Sequence, residues 1–131
     1  MPILHIKALP QKDSSLIKSA LKKTCIAIAK CYGCDEKHVW ATWAEIKPGL
    51  YVEGSNDASS QPLDTHPPIC ELIMFEPKSI DVVQKVLKIA SATLSNELKL
   101  QNNVFIIYRK ANSGEVIFGE DIVFKGAADL D

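Results

Sequence analysis

Arginine is almost missing from this chain. Arg109 stands alone among fifteen basic residues in a sequence of 131, and the formal net charge is −1. Readers of nucleic acid usually carry arginine clustered on one face. A near-neutral balance also gives no strong pull toward polyanions or anionic lipid. Long apolar runs are missing too: none approaches the ~20 residues that span a bilayer. The N-terminus lacks the charged-then-apolar layout of a secretory leader. These absences predict a soluble, cytoplasmic protein with neither nucleic acid nor membrane as partner. Cysteine is sparse, with Cys25, Cys31, Cys34 and Cys70. They fall in helix and strand patterns, where a free thiol acts as a small hydrophobe, rather than in a disulfide framework. Cys31-Tyr32-Gly33-Cys34 is a CxxC. No second Cys/His pair follows at zinc spacing, and the motif ends a helix pattern, whereas a redox thiolate is favoured at a helix start. The expectation is no metal and no cofactor.

What is present begins at the first residues, Met1-Pro2-Ile3-Leu4-His5-Ile6. Proline in second place suits removal of the initiator methionine. A freed Pro2 is a secondary amine, able to act as base or nucleophile; with Met1 retained it is an amide and has no basic nitrogen. The start is echoed 66 positions later. Pro2-Ile3 through Lys12 lines up with Pro68-Ile69 through Lys78, an amphipathic helix pattern follows each, and a β-rich run follows each helix. Tyr51 before Gly54 and Phe118 before Gly119 close the two halves. A repeat of this period signals duplication of one supersecondary unit. The predicted organisation is one domain over 1–131, with units at 2–54 and 68–124 joined by a linker at 55–67.

Residues 2–9 alternate, Leu4, Ile6 and Ala8 against Ile3, His5 and Lys7, as a strand with two distinct faces does. Asp13 or Ser14 can cap the helix that follows. Its stripe of Leu16, Ile17, Ala20, Leu21, Thr24, Ala27, Ile28 and Cys31 has helical spacing, and Gly33 suits its end. Val39 to Ile46 reads as a strand, with Leu50 to Val52 returning after the Lys47-Pro48-Gly49 turn. Ile69 to Phe75 is a second long strand. Ser79 caps a second helix, with the stripe Val82, Val83, Val86, Leu87, Ala90, Leu94 and Leu98. Val104 to Tyr108 is a further strand, on which Val116 to Phe118 is expected to pair back. The tail Ala127 to Asp131 reads as a frayed end.

A helix crossing between two strands favours parallel pairing and a right-handed crossover. Two such units side by side give an α/β (α+β) fold: a four-stranded sheet with two helices on one face and short β-hairpin strands. The other face is left bare, which predicts oligomerisation into a closed ring.

With the Pro2 start, the repeat, the turn Phe75-Glu76-Pro77-Lys78-Ser79 and the hairpin Asn112 to Gly119, nearly the whole chain resembles the tautomerase superfamily. The likeness is to fused β-α-β members: 4-oxalocrotonate tautomerase-like proteins, malonate semialdehyde decarboxylase and the cis-3-chloroacrylic acid dehalogenase group. The resemblance implies a homotrimer with one Pro2-centred site per chain. It implies Pro2 as the catalytic base, and Lys12 and Lys78 where an arginine often holds a substrate carboxylate. It places His38 near an aspartate that works with the proline in the decarboxylase, and Phe118, with Tyr51 as its counterpart, as an aromatic lining the pocket. Arg109, as the sole arginine, is a further anion contact. Lysine lacks the two-toothed grip of arginine. Phe75 or Glu76 stands where a second arginine is expected, and a glutamate there repels a carboxylate. The dehalogenase's extra histidine and tyrosine have no match.

The chemistry expected is removal of a proton alpha to a carbonyl. A free α-amine titrates near ~8, and burial or a neighbouring lysine makes it more often neutral. Pro68 is locked in a peptide bond, so the repeat supplies one base, not two. The leading expectation is a Pro2-dependent keto–enol tautomerase acting on a small carbonyl or dienol acid. The alternatives are a non-catalytic trimeric binding protein with a decayed site, and a decarboxylase or hydratase of small 3-oxo or acetylenic acids. His5 reads as a satisfied interior or interface histidine, and Trp40 and Trp43, of opposite parity, as core and interface.

Overall fold

The computed structural model describes residues 1–77 and 79–124. Lys78 and the expected frayed tail Ala127 to Asp131 lie outside the described residues. The elements are β1 (Pro2–Ala8), α1 (Ile17–Tyr32), β2 (Trp40–Glu45), β3 (Val52–Glu53), β4 (Asn56–Asp57), β5 (Ile69–Phe75), α2 (Ile80–Leu98), β6 (Phe105–Ala111), β7 (Val116–Phe118) and β8 (Asp121–Val123).

Four strands form the main sheet in the order β2-β1-β5-β6. The outer pairs are parallel and the central β1–β5 pair is antiparallel. The two β-α-β units thus meet along β1 and β5, running in opposite directions. Pro2 faces Met74 and Leu4 faces Leu72 across that seam. One face of the sheet is covered by both helices. Leu4, Ile6, Ala8, Cys70, Leu72 and Met74 point into that layer and are buried with Ala20, Ile28, Val83, Val86, Ala90 and Leu94. Each leucine or isoleucine fully buried here contributes about 1.5–3 kcal/mol.

Local chemistry sets the helix ends. Asp13 accepts from the Ser15 amide at 3.0 Å and caps a single 3₁₀ turn, Ser14–Leu16, so α1 proper begins at Ile17. Gly33 ends α1 at φ +86°, a left-handed conformation that costs glycine little. Ser79 caps α2 by accepting from the Val82 amide at 3.4 Å.

The other sheet face carries Ile3, His5, Trp40, Thr42, Ile69, Glu71, Ile73, Phe105, Ile107 and Arg109, and it is open. Phe105 is 51% and Ile107 45% exposed. His5 Nδ1 lies 2.6 Å from the Thr42 hydroxyl. Trp40 is on this face, while Trp43, of opposite parity, packs against the core.

Two strand expectations need correction. Leu50 to Val52 does not return onto β2; Val52–Glu53 pairs with Asn56–Asp57 across Gly54-Ser55. Val116 to Phe118 does not pair with β6 but with Asp121–Val123 across Gly119-Glu120. In each case a glycine at positive φ, +64° at Gly54 and +63° at Gly119, permits an immediate two-residue turn. The nearest partner in sequence then wins, because short loops close at least entropic cost. Strand β6 runs on to Ala111, three residues further than expected, because it stays paired as far as Phe75.

The expected linker, 55–67, includes strand β4; between β4 and β5 the chain is held at many points. The Gln61 amide donates to Pro10 O at 2.9 Å. Asn103 Nδ2 donates to Pro62 O at 3.1 Å and Thr65 O at 2.7 Å. His66 is buried, with Nε2 2.8 Å from Asn56 O.

Candidate active site

Pro2 opens β1 with its side chain fully buried, and Met1 before it is buried as well. The β1–β2 register pairs Ile3 with Trp40. Extending that parallel register backward sets Val39 beside Pro2 and His38 beside Met1. Asp35, accepting from the Lys37 amide at 3.0 Å, caps the 3₁₀ turn that ends at His38. The Nδ1 of His38 is buried and has no hydrogen-bond partner among the described residues. Leaving such a group unpaired costs about 1–3 kcal/mol.

Strand β5 arrives at the same end from the opposite direction, so its last residues lie by Pro2. The chain turns there at Glu76, at φ +40°. That is unfavourable for a side-chain-bearing residue. The turn is fastened on both sides. The Glu76 amide donates to Ala111 O at 3.0 Å, and its Oε1 accepts from the Ser113 amide at 2.9 Å. Lys110 Nζ stands 3.7 Å from Oε2. The carboxylate is only 18% exposed. The Tyr108 hydroxyl is pushed to higher pKa, first by burial and then by the Glu76 charge. Phe118 crosses to the same end, where its ring centroid lies 6.0 Å from that of Trp40.

The remaining expected residues lie elsewhere in the chain. Lys12 follows the far end of β1; seven strand residues at ~3.3 Å each put it more than about 20 Å from Pro2. It lines a groove of about 650 Å³ with Gln11, Leu16, Gln61, Leu98 and Lys99. Tyr51 is at that end too: its hydroxyl donates to Pro67 O at 2.7 Å, and its ring meets His66 edge-on at 5.0 Å. Burial, then the charge of Glu53, raises the Tyr51 pKa. Arg109 Nε lies 2.9 Å from Glu71 on the open face.

One end of the sheet thus gathers Pro2, His38, Trp40, Phe118, Glu76 and Lys110. Of these, Trp40 and Lys110 were not legible as site residues, and Glu76 read only as a repulsive charge. Their signal is register: Trp40 pairs with the residue after Pro2, and Lys110 pairs with Met74, which itself pairs with Pro2. Among the described residues no group of three potential ligands could hold a metal ion. Cys31 is exposed and Cys70 buried, and neither is in a disulfide. No helix among the described residues is long and apolar enough to cross a membrane.

No protein-family model and no curated protein sequence matches the chain. Solved structures do. A protein crystallised after inactivation by 2-oxo-3-pentynoate has a TM-score of 0.79 at 13% identity, covering 92% of this chain and 94% of its own. A fused 4-oxalocrotonate tautomerase, solved as a symmetric trimer, has a TM-score of 0.78 at 11% identity, covering 96% and 98%. Malonate semialdehyde decarboxylase has a TM-score of 0.69 at 16% identity, covering 98% and 95%. Over nearly its whole length, this chain has the fold of the tautomerase superfamily.

Proposed function

We propose that this protein, once Met1 is removed, is a cofactor-free cytoplasmic keto–enol tautomerase with Pro2 as general base and a small carbonyl or dienol acid as substrate. The observation that carries the reading is the burial of Pro2 at the sheet end where His38, Glu76, Lys110 and the Trp40–Phe118 pair converge. A secondary amine in such surroundings loses hydration when protonated, which favours the neutral base. The neutral nitrogen takes a proton from the carbon alpha to the carbonyl, and the resulting ammonium returns it to another carbon or to oxygen. Negative charge develops on the carbonyl oxygen. Lys110, at this end, is the proposed counter-charge, and Lys78 is proposed to join it on the sequence resemblance alone. The acidic end of the substrate must keep clear of Glu76, so it is proposed to lie toward the His38 side. Trp40 and Phe118 keep water off the reacting atoms.

The same reading includes a homotrimer. The open face, with Trp40, Ile69, Phe105 and Ile107 between 40% and 51% exposed, is a surface that association would cover. The fused 4-oxalocrotonate tautomerase cited above is a trimer.

The test begins with the intact mass of untagged protein. Loss of Met1 is expected, together with ketonisation of phenylpyruvate or 2-hydroxymuconate. 2-Oxo-3-pentynoate, which inactivates one protein of this fold, is expected to add to the Pro2 nitrogen with gain of the whole inhibitor mass. Retained Met1, or a free Pro2 that neither turns over substrate nor is labelled, would move the assignment to a trimeric binding protein. Carbon dioxide released from a 3-oxo acid would move it to a decarboxylase.

A further inference from the structure

The outer surface of the helical layer carries a groove that proton transfer at Pro2 does not use. The helices run antiparallel. Lys23 on α1 pairs with Glu97 near the end of α2 at 2.8 Å, which brings the last turns of α1 against the middle of α2. There Ala27, Cys31, Ile89 and Ala92 form an apolar floor, and Lys30, Lys85 and Lys88 form the rim, around about 620 Å³. The alanines create the depression, since longer side chains at 27 and 92 would fill it. The three lysines are exposed. None of them takes part in an ion pair among the described residues. Among the described residues, no acidic one lines the groove.

Size decides the class of occupant. A stable protein interface uses roughly 20–30 residues a side, and seven line this groove. The depression is shallow and largely open to solvent, so it suits a slender chain laid along the surface rather than an enclosed ligand. The floor offers aliphatic surface, and the rim offers three ammonium groups on stems that lie along that surface. We propose that this groove binds a single-chain aliphatic carboxylate as a monomer, its tail over Ala27, Ile89 and Ala92 and its head among Lys30, Lys85 and Lys88. The groove lies on the face opposite the open sheet, so association through that sheet leaves it accessible.

Cys31 is exposed at the groove and serves as reporter. The probe is dodecanoate below its micellar concentration, with alkylation by iodoacetamide followed residue by residue by mass spectrometry. Saturable protection of Cys31 is expected, about tenfold at ten times Kd by mass action. Cys25, which lines a separate groove, should react at an unchanged rate. Replacing Lys30, Lys85 and Lys88 together by Gln should weaken binding by about tenfold and remove its salt dependence. Ala92→Trp fills the groove from an exposed position, so it should abolish protection without lowering Tm. Protection that never saturates, that extends equally to Cys25, that survives Ala92→Trp, or that appears only with lipid vesicles would overturn the assignment.

Discussion

At one end of the sheet Pro2 begins β1 beside Glu76, Lys110 and the Trp40–Phe118 pair; at the other, Pro68 leads into β5 beside Tyr51, His66 and Lys12. The strand pairing is alike at both ends, since the β1–β5 seam relates them and each strand has a parallel outer partner. The fastenings differ. At the Pro68 end a neutral clamp joins the turn after β1 to the connecting segment: Gln11 Nε2 donates to Gln61 Oε1 at 3.1 Å and the Gln61 amide donates to Pro10 O at 2.9 Å. At the Pro2 end a carboxylate does this work, with Glu76 holding the Ser113 amide at 2.9 Å. The two units supply two corresponding corners, and their side chains make one of them charged and aromatic-walled. Only the corner whose proline can carry a free amine gains by that.

The largest expected effect breaks the comparison at the prolines. Pro2→Ala should lower ketonisation by about 10²–10⁴-fold, the range of a lost general base, while Pro68→Ala leaves turnover unchanged; steady-state kinetics on both variants decide. Next comes the seam. Leu4 and Leu72 face each other and are fully buried, so Leu4→Ala and Leu72→Ala should each cost about 2–5 kcal/mol in urea denaturation. A large inequality between them would show that the units are not equivalent in the core.

The clamps come third. Glu76→Ala should cost about 1–3 kcal/mol through loss of the carboxylate's bond to the Ser113 amide, and Gln11→Ala about 0.5–1.5 kcal/mol. Glu76→Gly should cost less than Glu76→Ala, because glycine accepts φ +40°. The last comparison concerns pH, and its effect shows only above the neutral range. Burial pushes the Cys70 thiol from 9.0 up to about 12, so the folded chain holds that proton where the unfolded chain has released it. The associated stability is complete below pH 9 and fades toward pH 12. Cys70→Val should flatten that alkaline fall. In native protein at neutral pH, iodoacetamide should modify Cys31 and spare Cys70.

Much of the architecture was legible because it is written in short-range patterns. Alternation at Leu4, Ile6 and Ala8 gave the buried face of β1, and the stripe Val83, Val86, Ala90 and Leu94 gave that of α2. Gly33, Asp13 and Ser79 marked helix ends by their own backbone and capping preferences. The hairpin partners were misread, since Val52 and Val116 carry no mark of which strand they join. The site was legible only in part. Pro2, His38 and Phe118 stand at one end of the sheet, whereas the repeat that suggested Lys12 and Tyr51 said nothing about which end of the seam each would occupy.

The sequence by itself determined two β-α-β units, the buried faces of β1 and α2 and a proline able to become an amine, because periodicity and caps act over a few residues. Only the tertiary structure decided that β1 and β5 run antiparallel, so that Glu76 rather than Lys12 stands at the Pro2 end of the sheet. That choice is made by packing both strands against a shared helical layer, and the prolines that it sets at opposite ends stand 66 positions apart.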